Sequence, residues 1–409
     1  MWHPYTQHGA LRELLEITRA DGAFLYDRDD RAIFDGISSW WVTLHGHAQV
    51  EIVEAICEQA SRLEQVVFTE FTHEPAAALA HELSAVLPGK LKRCFFSDDG
   101  STAVEVALKI AIQYWSNARE KRPLIAAFEK AYHGDTFGAM SVSGRGIFTA
   151  PFEQQLFEVV RLPDPSRKEV LPALDQLIAD RGRDLAAIIV EPLLLGAGGM
   201  IVWNEHVLRA IRERAREAGT LFIADEVLTG FGRTGPLFAC ERAGIDPDII
   251  CLSKGLTGGF LPLGVTAVRE EIFDRFMTDD RSQMFFHGHS YTANPIACAA
   301  ARASLRLLDA TSTQRRATIE AVHRDRLEHL GKHPRVRNVR VLGTLAAFDL
   351  ADSSGYLDPR GAALADYALS RDVLLRPLGG TVYLLPPYCT DAQDLLYAYE
   401  VIGRFLDTM

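Results

Sequence analysis

Short apolar runs without polar alternation, each followed by a helix-patterned stretch, recur along most of the chain and constrain its fold more than any other feature. The runs lie at residues 93–96, 124–128, 187–190, 221–224, 249–252 and 264–268, with helical patterns at 102–115, 170–181 and 205–217. A strand with one wet face alternates polar and apolar residues. Runs such as Ala187-Ile188-Ile189-Val190 do not, so both faces must be covered. Strand–helix alternation of this kind predicts an α/β fold with a mostly parallel central sheet in a large domain. From about Cys298 the pattern changes to a long helical stretch over 299–330, a strand-like run over 339–350, another helix and a Leu- and Tyr-rich end. That reads as a smaller α+β domain. The first 44 residues are strand- and turn-like and too few to fold alone. The expected division is 1–44 as a segment packing with the small domain (or on a partner chain), 45–297 as the large domain and 298–409 as the small one.

A chain of 409 residues can bury a large core, and 48% hydrophobic against 24% charged residues excludes wholesale disorder. With 43 Lys and Arg against 54 Asp and Glu the formal charge is -11, which argues against nucleic-acid or anionic-membrane partners. The six cysteines form no Cys-x-x-Cys pair and read as reduced thiols. The opening residues lack a basic, apolar leader, and no apolar run approaches the ~20 residues that span a bilayer. The cytoplasm is the expected compartment.

Three motifs end predicted strands, where α/β sheets bind ligands. In Ser97-Asp98-Asp99-Gly100-Ser101-Thr102, Gly100 lets the backbone approach a ligand and the exposed N–H groups of the following helix favour a phosphate, although the motif taken alone also reads as an ordinary capped helix. Glu105, three residues after Thr102, is expected to complete a capping box there. In Phe222-Ile223-Ala224-Asp225-Glu226, an acid at the strand end could hold a protonated ring nitrogen, or could simply be solvated. In Cys251-Leu252-Ser253-Lys254-Gly255, a partly buried lysine could lose its proton and condense with an aldehyde, although a lysine taken alone is usually a surface residue. A phosphate cradle, an acid for a ring nitrogen and a lysine for an aldehyde are together the demands of pyridoxal 5′-phosphate.

With these residues in place, the sequence resembles the class III aminotransferases of the fold-type I pyridoxal-phosphate enzymes. The matching stretches are residues 98–105, Tyr132-His133-Gly134, Glu191-Pro192, residues 225–235, Ser253-Lys254-Gly255 and Asn294-Pro295, in the family's order. Within the class the nearest resemblance is to the branch that converts 8-amino-7-oxononanoate to 7,8-diaminononanoate in biotin synthesis. It is carried by Trp2-His3-Pro4-Tyr5-Thr6-Gln7, Trp40-Trp41, residues 132–144, Arg376-Pro377 and the run from Tyr383 to Tyr388. The resemblance implies a ping-pong transamination with Lys254, Asp225 and Tyr132 as catalytic residues. Lys254 would meet the cofactor aldehyde and shuttle a proton, Asp225 would pair with the ring nitrogen and Tyr132 would stack on the ring. Gly100 and Ser101 would bind the phosphate. Ser290 would reach the phosphate of a second subunit, so the active unit is expected to be a homodimer.

The resemblance also implies a substrate channel walled by Tyr5, Trp40 and Trp41, with Gly288 beside Ser290 in the same set. Arg376 would take the substrate carboxylate and Arg233 is a second candidate. If Trp40 and Trp41 are on a strand, they face opposite sides and one belongs to the core. Three residues depart from the family pattern: Leu193 stands in place of a Gln, His289-Ser290 in place of Pro-Thr, and Asp99 in place of a Ser. The second bears on the amino donor, expected to be adenosylmethionine with lysine as the alternative. The third requires the Asp99 carboxylate to point away from the phosphate. His287 and His289, without a nearby carboxylate or cysteine set, do not meet the needs of a zinc site. Another class III enzyme acting on ω-amino acids or diamines is the alternative activity. A nicotinamide enzyme would need a Gly-x-Gly-x-x-Gly turn after a strand with an acid ~20 residues on, and none is found in that context.

Overall fold

The computed structural model describes residues 1–10 and 14–409. Among the described residues the largest sheet has seven strands: β1 (Leu91–Ser97), β2 (Leu124–Phe128), β3 (Val160–Leu162), β4 (Leu185–Val190), β5 (Leu221–Asp225), β6 (Ile249–Leu252) and β7 (Gly264–Arg269). Their order across the sheet is β1-β7-β6-β5-β4-β2-β3. Strand β7 runs antiparallel to both its neighbours, and the other pairings are parallel. The edge strand β3 escaped the sequence reading because Val-Arg-Leu is short and interrupted by a charge.

Successive strand residues sort into two cores, as a sheet covered on both faces requires. Ala187, Ile189, Ile223 and Ile249 pack with helix α1 (Gly100–Asn117) through Ala103, Ala107 and Ile110. Ile188, Val190, Phe222 and Ile250 pack on the other face with Leu208 and Ile211 of the helix Glu205–Glu217 and Leu79 and Leu83 of Glu74–Val86. The result is three layers, helix–sheet–helix, with the C-terminal ends of β1, β5 and β6 along one edge. No helix among the described residues is long and apolar enough to cross a membrane.

Ala23, Phe34 and many apolar residues from Ile319 onward pack as a separate α+β core, whereas the helix Pro295–Arg306 stays with the main core through Ala297, Cys298 and Ala301. The run expected as one strand over 339–350 is a hairpin, Val336–Leu342 with Leu345–Leu350, extended by Thr381–Leu384. Gly343, at φ +57, makes the turn. The helical stretch expected over 299–330 is two helices, Pro295–Arg306 and Ala310–Leu330. Asp309 starts the second by accepting from the Ser312 N–H at 2.8 Å. The strands Ile17–Asp21, Phe24–Asp27 and Ala32–Asp35 form an antiparallel ribbon. Its last member pairs in parallel with Val373–Leu374, and Ala23 and Phe34 share a core with Phe348, Leu364 and Leu395.

Glu105 does not cap its own helix. The capping box at α1 is between Asp99 and Thr102: the Asp99 carboxylate accepts from the Thr102 N–H at 2.8 Å, and the Thr102 hydroxyl oxygen accepts from the Asp99 N–H at 2.9 Å. Glu105 lies one turn on and reaches across to another helix. Its Oε1 accepts from the Thr136 hydroxyl at 2.5 Å and from the N–H groups of Gly138 and Ala139 at 2.7 and 3.1 Å, which belong to the start of Phe137–Val142. A six-residue helix cannot stabilise itself, so this carboxylate substitutes for a local cap. Glu105→Ala is expected to lower the unfolding free energy by about 1–2 kcal/mol, the cost of a lost cap. Urea denaturation checks this, and an unchanged midpoint would deny Glu105 the role.

Candidate active site

The edge formed by the C-terminal ends of β1, β5 and β6 opens into a cleft of about 380 Å³ whose lining includes Gly100, Ser101, Tyr132, His133, Asp225 and Lys254. Parallel pairing puts Asp225 opposite Cys251, so the acid ending β5 and the lysine following β6 reach the same side. Of the residues singled out in the sequence, the structure brings Gly100, Ser101, Tyr132, Asp225, Trp41 and Lys254 to this one cleft.

At the β1–α1 junction Val227 packs so tightly that a Cβ on residue 100 would lie 2.6 Å from it, which explains the glycine. Asp99 spends its carboxylate on the cap described above, so its charge is engaged with its own helix. The Ser101 hydroxyl oxygen accepts from the Asp135 N–H at 3.2 Å and keeps its own proton to donate. A helix N-terminus of this length, with Gly100 and Ser101 in the cleft wall, suits a phosphate.

At the end of β5, Asp225 is buried. Its Oδ2 lies 2.7 Å from Nδ1 of His133, and its Oδ1 accepts from the Val227 N–H at 3.1 Å. The Nε2 of His133, also buried, has no partner among the described residues. This pairing fixes the carboxylate in the cleft wall, ready for a cationic ring nitrogen. Glu191, the residue after β4, accepts from the N–H groups of Tyr132 and Gly196 at 2.8 and 3.0 Å. Burial pushes its carboxyl up to about 7, opposed by His133. The sequence reading gave Glu191 and His133 no role. An acid directly after the wholly apolar Leu185–Val190 was the available signal, the same one that pointed to Asp225.

Lys254 begins a short 3₁₀ turn, Lys254–Thr257, and has φ +44, a region that side-chain-bearing residues seldom occupy. Its Nζ lies 4.6 Å from the centroid of the Trp41 ring. Burial pulls the amine down to about 8 against the opposing pull of Asp225 and Glu191. The phosphate cradle, the fixed acid and the dry lysine therefore fit pyridoxal phosphate.

A second cavity of about 410 Å³ shares Trp41, Val42, Tyr132, Ala197 and Lys254 with the first and adds Tyr5, Trp40, Asp135, Tyr356, Arg376 and Tyr383. Trp40 and Trp41 are in a tight turn, Ser38–Trp41, rather than a strand, with Ser39 at φ 57. The turn sends Trp41 inward, where its Nε1 donates to the Tyr383 hydroxyl at 2.9 Å, and leaves Trp40 partly exposed over Arg376. The Arg376 guanidinium carbon sits 3.9 Å from the Trp40 ring centroid and 6.0 Å from that of Tyr5, and no carboxylate among the described residues pairs with it. The Tyr5 hydroxyl donates to Asp135 at 2.5 Å. Burial, reinforced by that bond, raises this phenol to about 12, and burial raises Tyr132 further still. Both phenols are thus neutral.

Three expected residues lie elsewhere. Arg233 lines neither cavity. It is buried, with its two terminal guanidinium nitrogens directed to the carbonyls of Pro386 at 2.9 Å, Trp41 at 3.4 Å and Thr43 at 3.5 Å, so it ties the Trp41 turn to the C-terminal segment. Gly288 and Ser290 lie on an exposed loop outside both cavities, where the Ser290 carbonyl accepts from Gln65 at 2.8 Å. His289, on the same loop, stands 3.5 Å from Asp98. Leu193, Leu194 and Leu195 are buried in the main core.

Comparison with known proteins agrees with this geometry. The family model "Aminotransferase class-III" matches residues 5–406. The chain is 52% identical to the adenosylmethionine-8-amino-7-oxononanoate aminotransferase of Synechococcus elongatus, over 100% of this chain and 98% of that one. It is 35% identical to the enzyme of the same name from Geobacter sulfurreducens, over 100% and 96%. The crystal structure of the Methanocaldococcus jannaschii enzyme of that name superposes with a TM-score of 0.95 at 32% identity, covering 100% of this chain and 97% of that one. A PLP-bound amine transaminase from an uncultivated Pseudomonas species gives 0.91 at 30% identity, covering 100% and 98%. Fold, cleft and relatives agree: the chain belongs to the class III aminotransferases, whose cofactor is pyridoxal 5′-phosphate.

Proposed function

We propose that the protein transfers an amino group to 8-amino-7-oxononanoate, giving 7,8-diaminononanoate, with adenosylmethionine as donor. The observation that carries this reading is the pair of cavities meeting at Lys254: one ends on a phosphate cradle and a fixed acid, the other on a cation between aromatic rings. An elongated apolar substrate with a terminal carboxylate matches the second, because Arg376 offers a planar fork of donors that stays charged while its face rests on Trp40. The names of the relatives point to the same substrate.

Pyridoxal phosphate, when bound, supplies an electron sink and a carbonyl that carries the amino group between substrates. Gly100 and Ser101 would hold its phosphate, Asp225 its protonated ring nitrogen, and Tyr132 its ring face, with Glu191 fixing the Tyr132 backbone. Lys254 Nζ would take the proton from the substrate carbon that bears the amine and deliver it to the cofactor's aldehyde-derived carbon, work suited to an amine brought near neutrality. Trp41 excludes water above that amine, and Arg233 holds the Trp41 turn in place. Since both cavities open on one lysine, donor and acceptor must visit in turn, which is ping-pong exchange. Gly288 and Ser290 act, in this reading, across the interface of a homodimer. Exposed Phe286 and Tyr291 on the same loop favour such an interface. Six free cysteines accord with a cytoplasmic location.

Adding 7,8-diaminononanoate to the cofactor-loaded protein should bleach its visible absorbance. A spectrum that ignores this diamine but responds to other ω-amines would replace the substrate and keep the family. Adenosylmethionine and lysine, tested alone in the same assay, identify the donor. Arg376→Ala should raise KM for 8-amino-7-oxononanoate by one to two orders of magnitude, roughly the 1.5–3 kcal/mol of a charged hydrogen bond, and change the donor's KM much less. Equal losses would remove Arg376 from the carboxylate.

The lowered lysine pKa also makes a stability prediction. Between about 8 and the ordinary 10.5 the unfolded chain binds a proton at Lys254 that the folded chain does not, so stability rises with pH across that window and the penalty is fully present below it. In cofactor-free protein at pH 7, Lys254→Met should therefore be more stable than wild type by on the order of 3 kcal/mol, with the gap closing toward pH 10. A gap that did not vary with pH would mean that the amine is not desolvated.

A further inference from the structure

We infer that His45 and Ser304, which line neither the cofactor cleft nor the substrate cavity, position the turn that carries Lys254. The inference rests on Lys254 being the reacting amine. Its starting point is the backbone: at φ +44 Lys254 is in a conformation that persists only where its surroundings hold it.

The structure shows what holds it. The Gly255 carbonyl accepts from the Gly258 N–H at 3.0 Å, within the turn, and from the Ser304 hydroxyl at 3.2 Å, from the helix Pro295–Arg306 behind it. The same Ser304 oxygen lies 3.0 Å from Nε2 of His45. A carbonyl only accepts, so the serine proton points to Gly255, and His45 must supply the hydrogen of the other bond from Nε2. His45 is buried, and burial together with the Arg233 charge brings it down to about 4, so near neutral pH it is uncharged with its one ring proton available for this bond. The chain His45 Nε2–H to Ser304 Oγ–H to Gly255 carbonyl therefore has one consistent direction.

The neighbouring residue makes the seat close-fitting. A Cβ on residue 255 would lie 2.6 Å from Leu44 Cδ1, so the turn rests its bare α-carbon on the side chain next to His45. Residues 41–45 thus touch the lysine turn at three places: the Trp41 ring at Nζ, Leu44 at Gly255, and His45 through Ser304. The charged groups that act on His45 are Arg233, Glu51 and Asp309. Those that act on Lys254 are Asp225, Glu191 and Arg233. None of them is altered by a change at Ser304. Without the serine bond the Gly255 carbonyl keeps only its Gly258 partner within the turn, the hold from the helix behind is lost, and Lys254 relaxes from its left-handed backbone so that its amine moves away from the dry contact with Trp41.

The test reads the amine directly in cofactor-free protein. Lys254 is competitively acetylated across a pH series, its peptide is quantified by mass spectrometry, and urea midpoints are recorded alongside. Ser304→Ala and His45→Leu should each raise the Lys254 titration midpoint by about one pH unit, a tenfold loss of the neutral amine at a given pH below the midpoint. His45→Gln, whose amide nitrogen reaches the place of Nε2, should restore the wild-type midpoint. That rescue, and a midpoint shift without a matching loss of stability, is what a merely structural role would not give. Wild-type midpoints in both Ser304→Ala and His45→Leu would overturn the inference, as would a His45→Gln shift equal to that of His45→Leu. A shifted midpoint in a protein whose loaded form ignores the diamine would support the positioning role and sink the substrate assignment instead.

Discussion

The burial of a single lysine amine organises this protein's site. An ammonium is costly to remove from water, and the cost is tolerated here because Asp225 and Glu191 oppose it and because the neutral form is the useful one. Everything that keeps the amine dry is then under constraint. Trp41 must cover it, so the Ser38–Trp41 turn must hold a strained backbone, and Arg233 must hold that turn by its carbonyls. The seven-stranded sheet supplies the rigid edge on which these parts are arranged, with Asp225 ending one strand and Lys254 following its parallel neighbour.

The two cavities divide the remaining work by chemistry. The first combines a helix N-terminus, a serine hydroxyl and a histidine-fixed carboxylate, which suits a molecule with an anion at one end and a basic ring at the other. The second is walled by aromatic rings and contains one arginine that no carboxylate among the described residues neutralises. A cation held by stacking rather than by an acid keeps its donors for a ligand, and that feature separates a carboxylated substrate from a simple diamine. Asp135 lines the same cavity, and its Oδ2 accepts from the Tyr5 hydroxyl.

Much of this was legible in the sequence where local chemistry decided the structure. Unalternating strands announced a sheet covered on both faces, and the motifs at residues 97–102, 225 and 254 lay at strand ends that the parallel topology then brought together. What escaped depended on partners distant in sequence. Glu105 looked like half of a local capping box, yet it caps a helix more than thirty residues away. Arg233 had the charge expected of a ligand-binding residue, but its donors go to carbonyls from both ends of the chain, which no local pattern reveals. Trp40 and Trp41 divide between cavity rim and interior, though through a tight turn rather than a strand's alternation. The interruption between Pro295–Arg306 and Ala310–Leu330 was marked only by Asp309, a cap residue inside an otherwise helical pattern.

The most direct measurement is a crystal structure of the cofactor-loaded protein with 7,8-diaminononanoate. The expected result is density along the Tyr5, Trp40 and Trp41 wall, with the carboxylate within hydrogen-bonding distance of the Arg376 guanidinium and the reacting amine beside Lys254 Nζ. A carboxylate bound instead in the adjoining cavity lined by Lys130 and Arg145 would contradict the division of labour between the two cavities.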